Sequence, residues 1–425
     1  MIKKPTLPTI LPPDTFFFKI PLENDRLLLG KEVVDKYYEP LPRDYRSLHR
    51  IKYDYVHFAN DILTVKLELF KEKALNIYLH VEPEELHVAC DCGMPGEKLC
   101  AHAFFGLHKL MWRYDETDLN HYYWPGIIGK GKNKERFVKI TQSTFQLDIR
   151  PRKEYGLVYK PGFGFPELHD LNLEKPQETV IDTTKNNGST QVMGFALQFN
   201  SRQHPTSHLP FLVPYIATMN KKGDQVAYYH NYLRRDKPKP HHIKQTNNQI
   251  MLQEFCYDQW ETARSTGHPD REGHAAAWKK ASVVMFNLWR KIIPKLQQET
   301  WFHSIYSYGF KNWQDKPRKY MMQPCQVSAG GVAVSFLLSD KNDHYLLEPV
   351  CRINGKEMGL AYRKTPLFIV HAVTNHYYLV GSLQEDELLN WFADHGNRVT
   401  ILKEHFDDFR ERFLNSLAEC YPVCT

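Results

Sequence analysis

The sequence predicts an α+β chain of several domains, with a small ββα module first and antiparallel sheets with packed helices after it. Two β-rich runs, residues 76–81 and 86–90, meet at the polar turn Glu82-Pro83-Glu84-Glu85 and lead into apolar residues at helical spacing. The last hundred residues read as hairpins and then as helices. At 425 residues the chain is also too long for one ordinary domain. The expected divisions are 1–120 for an N-terminal arm with the ββα module, 121–270 for a β-rich middle region with basic loops, 271–325 for a helical segment, and 326–425 for an antiparallel sheet with two helices.

Residues 1–42 are punctuated by proline and read as an arm docked on the first domain, with Phe16-Phe17-Phe18 as its anchor. In residues 61–69, Leu63, Val65, Leu67 and Leu69 alternate with polar positions, the pattern of a half-buried strand. This strand and the 76–81/86–90 hairpin would make a three-stranded sheet.

Cys90-Asp91-Cys92 ends the hairpin, and after a seven-residue loop come Cys100-Ala101-His102. If Cys90 and Cys92 both lie on the strand, their sulfurs share one face. Residues two apart inside a helix do not face each other, so Cys100 should precede the helix and His102 fall in its first turn. Ala103, Leu107, Leu110 and Met111 then mark the buried side of that helix. Three cysteines and a histidine form a closed tetrahedral donor set for structural Zn2+. The net charge of the filled set is −1, which helix N–H groups and Lys98 would offset, while Asp91 would turn to solvent.

Cys90, Cys92, Cys100 and His102, placed on a hairpin and the following helix, resemble a SWIM-type zinc finger, a family with the pattern Cys-x-Cys, a variable loop, then Cys-x-His. Ala103 after the histidine fits it as well. The resemblance implies binding of DNA or protein. The order of the chain also resembles, loosely, the region N-terminal to the motor of bacterial Swi/Snf-type helicase-like ATPases, through residues 337–340, 349–350 and the helical run after Ser382. The motor's own motifs are missing from the sequence. Gly126, Gly131 and Lys132 approach a phosphate-binding loop, but Asn133 stands where Ser or Thr should hold magnesium, and His121-Tyr122-Tyr123-Trp124-Pro125 is a poor buried strand.

Residues 191–199, 209–218 and 225–229 read as an antiparallel meander. From Glu272 to Ile293, Trp278, Ala281, Met285, Leu288, Trp289, Ile292 and Ile293 fall on one helical stripe that Pro294 should end or kink. Residues 326–338 and 344–353 form a hairpin, Asn354-Gly355 turns the chain, and 365–374 pairs with 376–381. Ser382 and Glu385 fit a capping box, and Phe406, Phe409, Phe413, Leu414 and Leu417 mark a final helix.

Lysine and arginine exceed aspartate and glutamate by 6, which permits a nucleic-acid partner without requiring one. Phosphate contacts would come from Lys130, Lys132, Lys134, Arg234 and Arg235. Cys256, Cys325, Cys351, Cys420 and Cys424 have no framework spacing, which argues against a secreted disulfide scaffold. With no apolar run of membrane length, a cytoplasmic protein is expected, with no membrane partner. No catalytic constellation stands out. The expectation is a non-catalytic zinc protein that binds DNA or tethers a helicase-like ATPase; the alternative is an adaptor that binds protein alone.

Overall fold

A computed structural model describes residues 15–22, 27–38, 51–69, 73–93, 96–112, 115–128, 135–142, 147–162, 165, 191–200, 207–235, 245–268, 273–307, 316–353, 355–357 and 362–425. The chain is α+β, with several sheets and packed helices. It divides into two compact units: the described residues within Met1–Phe165, Asp340–Leu346 and Val399–Arg412, and those within Pro166–Ser339, Leu347–Arg398 and Phe413–Thr425.

The first unit is built on a sheet of five strands, not three, in the order Phe18–Pro21, Glu85–Cys90, Leu75–Val81, Ile62–Glu68, Lys52–Ala59. Every neighbouring pair is antiparallel. Leu63, Val65, Leu67 and Leu69 are buried as their alternation requires. Asn60 and Asp61 close the first hairpin with φ of 52° and 61°, a left-handed pair that Asn and Asp tolerate better than other non-glycine residues. Of the aromatic triplet in the arm only Phe18 is buried; Phe16 is exposed. The arm is held by backbone pairing of Phe18–Pro21 with residues 85–88 and by the burial of Phe18 and Ile20 in the core.

The helix Ala101–Leu110 lies on this sheet, with Ala103, Phe104, Phe105 and Leu107 buried beneath it and Met111 buried just beyond. Each such apolar side chain larger than alanine contributes roughly 1.5–3 kcal/mol when withdrawn from water. Gly106 permits the close approach, because a Cβ there would stand 2.5 Å from Cδ1 of Ile77. A second tie comes from the short helix Lys31–Asp35, whose Asp35 meets His108 at 2.8 Å. His121 and Tyr122 fall in the 3-10 turn Leu119–Tyr122, which is no buried strand.

In the second unit, Gln191–Phe199, Phe211–Met219 and Val226–Tyr232 form the expected antiparallel meander. Its sheet is mixed, since Phe302–Tyr306 adds in parallel to Gln191–Phe199. The long helix Ala275–Leu296 buries Ala281, Met285, Trp289, Ile292 and Ile293. Trp289 meets Phe368 edge to face at 4.9 Å and donates its indole N–H to Pro210 O at 3.0 Å. Pro294 does not end this helix, which continues to Leu296. A proline deprives only the carbonyl four residues back of its donor, and Arg290, the residue concerned, is exposed.

A helix that no apolar stripe announces, Asn247–Ser265, opens on a full capping box between Thr246 and Gln249. At Ser382, by contrast, only half a box forms: Glu385 N donates to Ser382 Oγ, while the Glu385 carboxylate takes the Gly381 N–H. Phe368–His371 and His376–Leu379 pair as expected, flanked by Tyr362–Thr365 and, in parallel, by Gln326–Ser328. Among the described residues, no helix is long and apolar enough to cross a membrane.

Candidate metal centre

Donor atoms of Cys90, Cys92, Cys100 and His102 all lie within 4.8 Å of one another. Cys90 is the last residue of its strand and pairs with Ile77, on the sheet face that carries the helix. Cys92 is not on that strand. A tight turn follows Cys90, closed by the Gly93 N–H on Cys90 O at 3.1 Å and completed by Gly93 with φ of +77°. Chain reversal, and not strand alternation, folds the Cys92 sulfur back toward Cys90; glycine supplies the positive φ without steric cost.

Asp91 has a larger part than its exposure suggests. Its carboxylate accepts the Tyr78 hydroxyl at 2.9 Å and the Asn76 N–H at 3.1 Å, while its own N–H donates to Asn76 O at 3.1 Å. These bonds fasten the turn to the neighbouring strand. The far end of the loop is fastened by Leu99, buried, whose N–H donates to Tyr37 O at 3.0 Å. Neither anchor is legible in the motif itself, although Asn76 lies across the hairpin from Asp91 and Tyr78, paired with Ala89, lies diagonal to it.

Cys100 caps the helix, its sulfur accepting the Ala103 N–H at 3.3 Å, and His102 follows in the first turn, as the spacing predicts. The Cys100 thiol is brought down to about 5, first by the hydrogen bond from the Cys90 thiol, with the Ala103 N–H adding to it against the opposing effect of burial. Cys90 is pushed up by that same bond and by burial, and Cys92 by burial. Cys100 is thus the sulfur that carries negative charge first.

The donor set fits a metal ion. Thiolate bonds of about 2.3 Å at tetrahedral angles put two sulfurs about 3.8 Å apart, inside the observed spread. His102 Nε2 is buried and has no hydrogen-bond partner among the described residues. A buried imidazole nitrogen without a partner is costly unless something occupies its lone pair.

No family model, curated protein or solved structure matches the chain. The cluster therefore stands on its geometry.

Of the residues expected to contact phosphate, Lys130, Lys132 and Lys134 lie outside the described residues. Arg234 and Arg235 belong to the second unit, whereas the four donors belong to the first. Arg235 is exposed, 3.7 Å from Glu254 and 5.6 Å above the Tyr257 ring. Cys256, Cys325 and Cys351 are buried, and burial pushes the first two thiols well up, as inert core cysteines.

Proposed function

We propose that Cys90, Cys92, Cys100 and His102 hold a structural Zn2+ in a finger of SWIM type, and that the protein is a non-catalytic, cytoplasmic recognition protein that binds DNA or tethers a helicase-like remodeller. The convergence of three sulfurs and a partnerless buried imidazole nitrogen carries this reading. Zn2+ bound there would tie the turn after the hairpin to the helix start, with all four positions filled by protein.

Two serine–histidine pairs lie close among the described residues. Ser307 and His208, 2.6 Å apart, are sealed in the core at 1% and 0% exposure. His376, 2.8 Å from Ser328, is pushed down to about 4 by burial and is a weak base at neutral pH.

The adaptor reading draws on Arg235, whose guanidinium already has Glu254 and Tyr257 beside it. Binding of the full-length protein to duplex and single-stranded DNA across a salt series separates the two. If Arg234 and Arg235 meet phosphate, Arg234→Glu with Arg235→Glu weakens binding and flattens the logarithmic salt slope by about 0.9 for each phosphate left unneutralised. If neither DNA form binds at low salt, DNA recognition is refuted and the adaptor reading takes its place. Absence of Zn2+ from protein purified without chelators would refute the finger itself.

A further inference from the structure

The hairpin that ends in Cys90 carries a second convergence of donors on its other face. His80 and His87 are directly paired across the two strands, and side-chain alternation puts them opposite the helix-covered face of Ile77 and Cys90. Glu82 lies two residues past His80, where the strand gives way to the turn. One donor atom from each of these three residues falls within 4.8 Å of the others.

The distances come close to those of shared ligands. Glu82 Oε1 is 3.8 Å from Nδ1 of His80 and 3.8 Å from Nδ1 of His87. That is too long for a hydrogen bond. Two donors on one tetrahedral ion, with bonds of about 2.1 Å, stand about 3.4 Å apart, so side-chain adjustments of a few tenths of an ångström close the set.

The far side of His87 supplies an independent argument. Its Nε2 is 3.0 Å from Glu85 Oε2, and Lys19 Nζ holds that same oxygen at 2.7 Å. An imidazole that donates Nε2–H to a carboxylate keeps its lone pair on Nδ1, the atom that faces Glu82. Carboxylates behind metal-binding histidines fix tautomer and ring orientation in this way. The His80 ring meets His87 edge to face at 5.7 Å. Asp61, whose Oδ1 is buried without a hydrogen-bond partner among the described residues, lies near His80.

We propose that His80, Glu82 and His87 form a second metal site, taking a divalent transition-metal ion of the zinc class, with Glu85 and Lys19 as positioning residues. Three protein donors leave a coordination position open, and the Glu82 side chain, 45% exposed, puts that position at the protein surface. A water, or a carboxylate or imidazole from another molecule, is the chemistry it would accept. The site shares no ligand with the thiolate cluster, so either can stand without the other.

Native mass spectrometry of the full-length protein, equilibrated with Zn2+ and then freed of excess, tests this. Wild type is expected to carry two ions. His80→Gln with His87→Gln should carry one, as should Glu82→Gln, a change on the exposed turn that leaves the sheet intact. Co2+ loading distinguishes the sites: thiolate-to-cobalt absorption should persist in both variants and vanish in Cys92→Ser. Glu85→Gln should weaken the second ion by roughly tenfold to a hundredfold. A single ion in wild type whose binding survives the His80, His87 and Glu82 changes overturns the proposal. Two ions in wild type that both survive those changes overturn it equally.

Discussion

Gly106→Ala probes the contact that sets the helix against the sheet. The new methyl carbon would lie 2.5 Å from Cδ1 of Ile77, which is itself 1% exposed and has little room to yield. Alanine gains about 0.8–1 kcal/mol over glycine within a helix. Overpacking costs typically about 1–3 kcal/mol, so the net effect is a loss of about 0–2 kcal/mol. Ile77→Val removes the obstructing carbon at its own cost of about 0.5–1.5 kcal/mol. In the double variant the clash is gone and the propensity gain returns, giving a favourable coupling of about 1–3 kcal/mol. Urea melts followed by far-UV circular dichroism measure the cycle. Since Ile77 pairs with Cys90, chelator competition should show Zn2+ held more weakly in Gly106→Ala and recovered in the double variant. Additivity within about 0.5 kcal/mol, with unchanged Zn2+ affinity, would refute the argument.

Cys92→Ser should lose a thiolate-bound ion and speed amide exchange in residues 96–104, while the five-stranded sheet, held by its backbone pairing and by the core it shares with the helix Ala101–Leu110, keeps its protection; hydrogen exchange by mass spectrometry reads both, and unchanged exchange near the helix start counts against a metal-tied loop. Burial pushes His303 down to about 4, and its neutral Nδ1 faces the Tyr215 hydroxyl at 2.8 Å. An unfolded imidazole takes its proton near 6.5, so stability is full above that pH and falls as pH drops toward about 4, by on the order of 1–3 kcal/mol. His303→Gln should flatten this slope, His376 keeping its share in the same window, and an unaltered slope in urea midpoints between pH 7 and 4.5 would exclude His303 as a source.

Much of the first unit is legible in the sequence because its signals are local. The hairpin, the 101–110 helix and the cysteine–histidine cluster all sit within thirty-five residues, and periodicity with turn chemistry suffices for them. The outer strands are not: Phe18–Pro21 reaches its partner across some sixty residues of chain, and nothing in its four side chains specifies where it pairs. The helix Asn247–Ser265 escapes for another reason. Its buried side is mixed, with Gln249, Gln253 and Gln259 enclosed beside Leu252, Cys256, Tyr257 and Ala263, and Gln259 accepts the Leu212 N–H at 2.9 Å. A hydrophobic stripe cannot report such a face, although Thr246 and Gln249 spell its start. His80 and His87 look like single histidines in the sequence because only the strand register sets them side by side.

Cys100 occupies the place where a serine or aspartate usually seals a helix, and the same sulfur is a donor to the cluster. One atom therefore latches two things at once. With an ion bound as proposed, whatever stripped it would also fray the first turn beneath His102, and whatever frayed that turn would loosen the ion. A binding surface presented by this turn would then be coupled to the metal supply, and an oxidant that claimed the sulfur would dismantle both together.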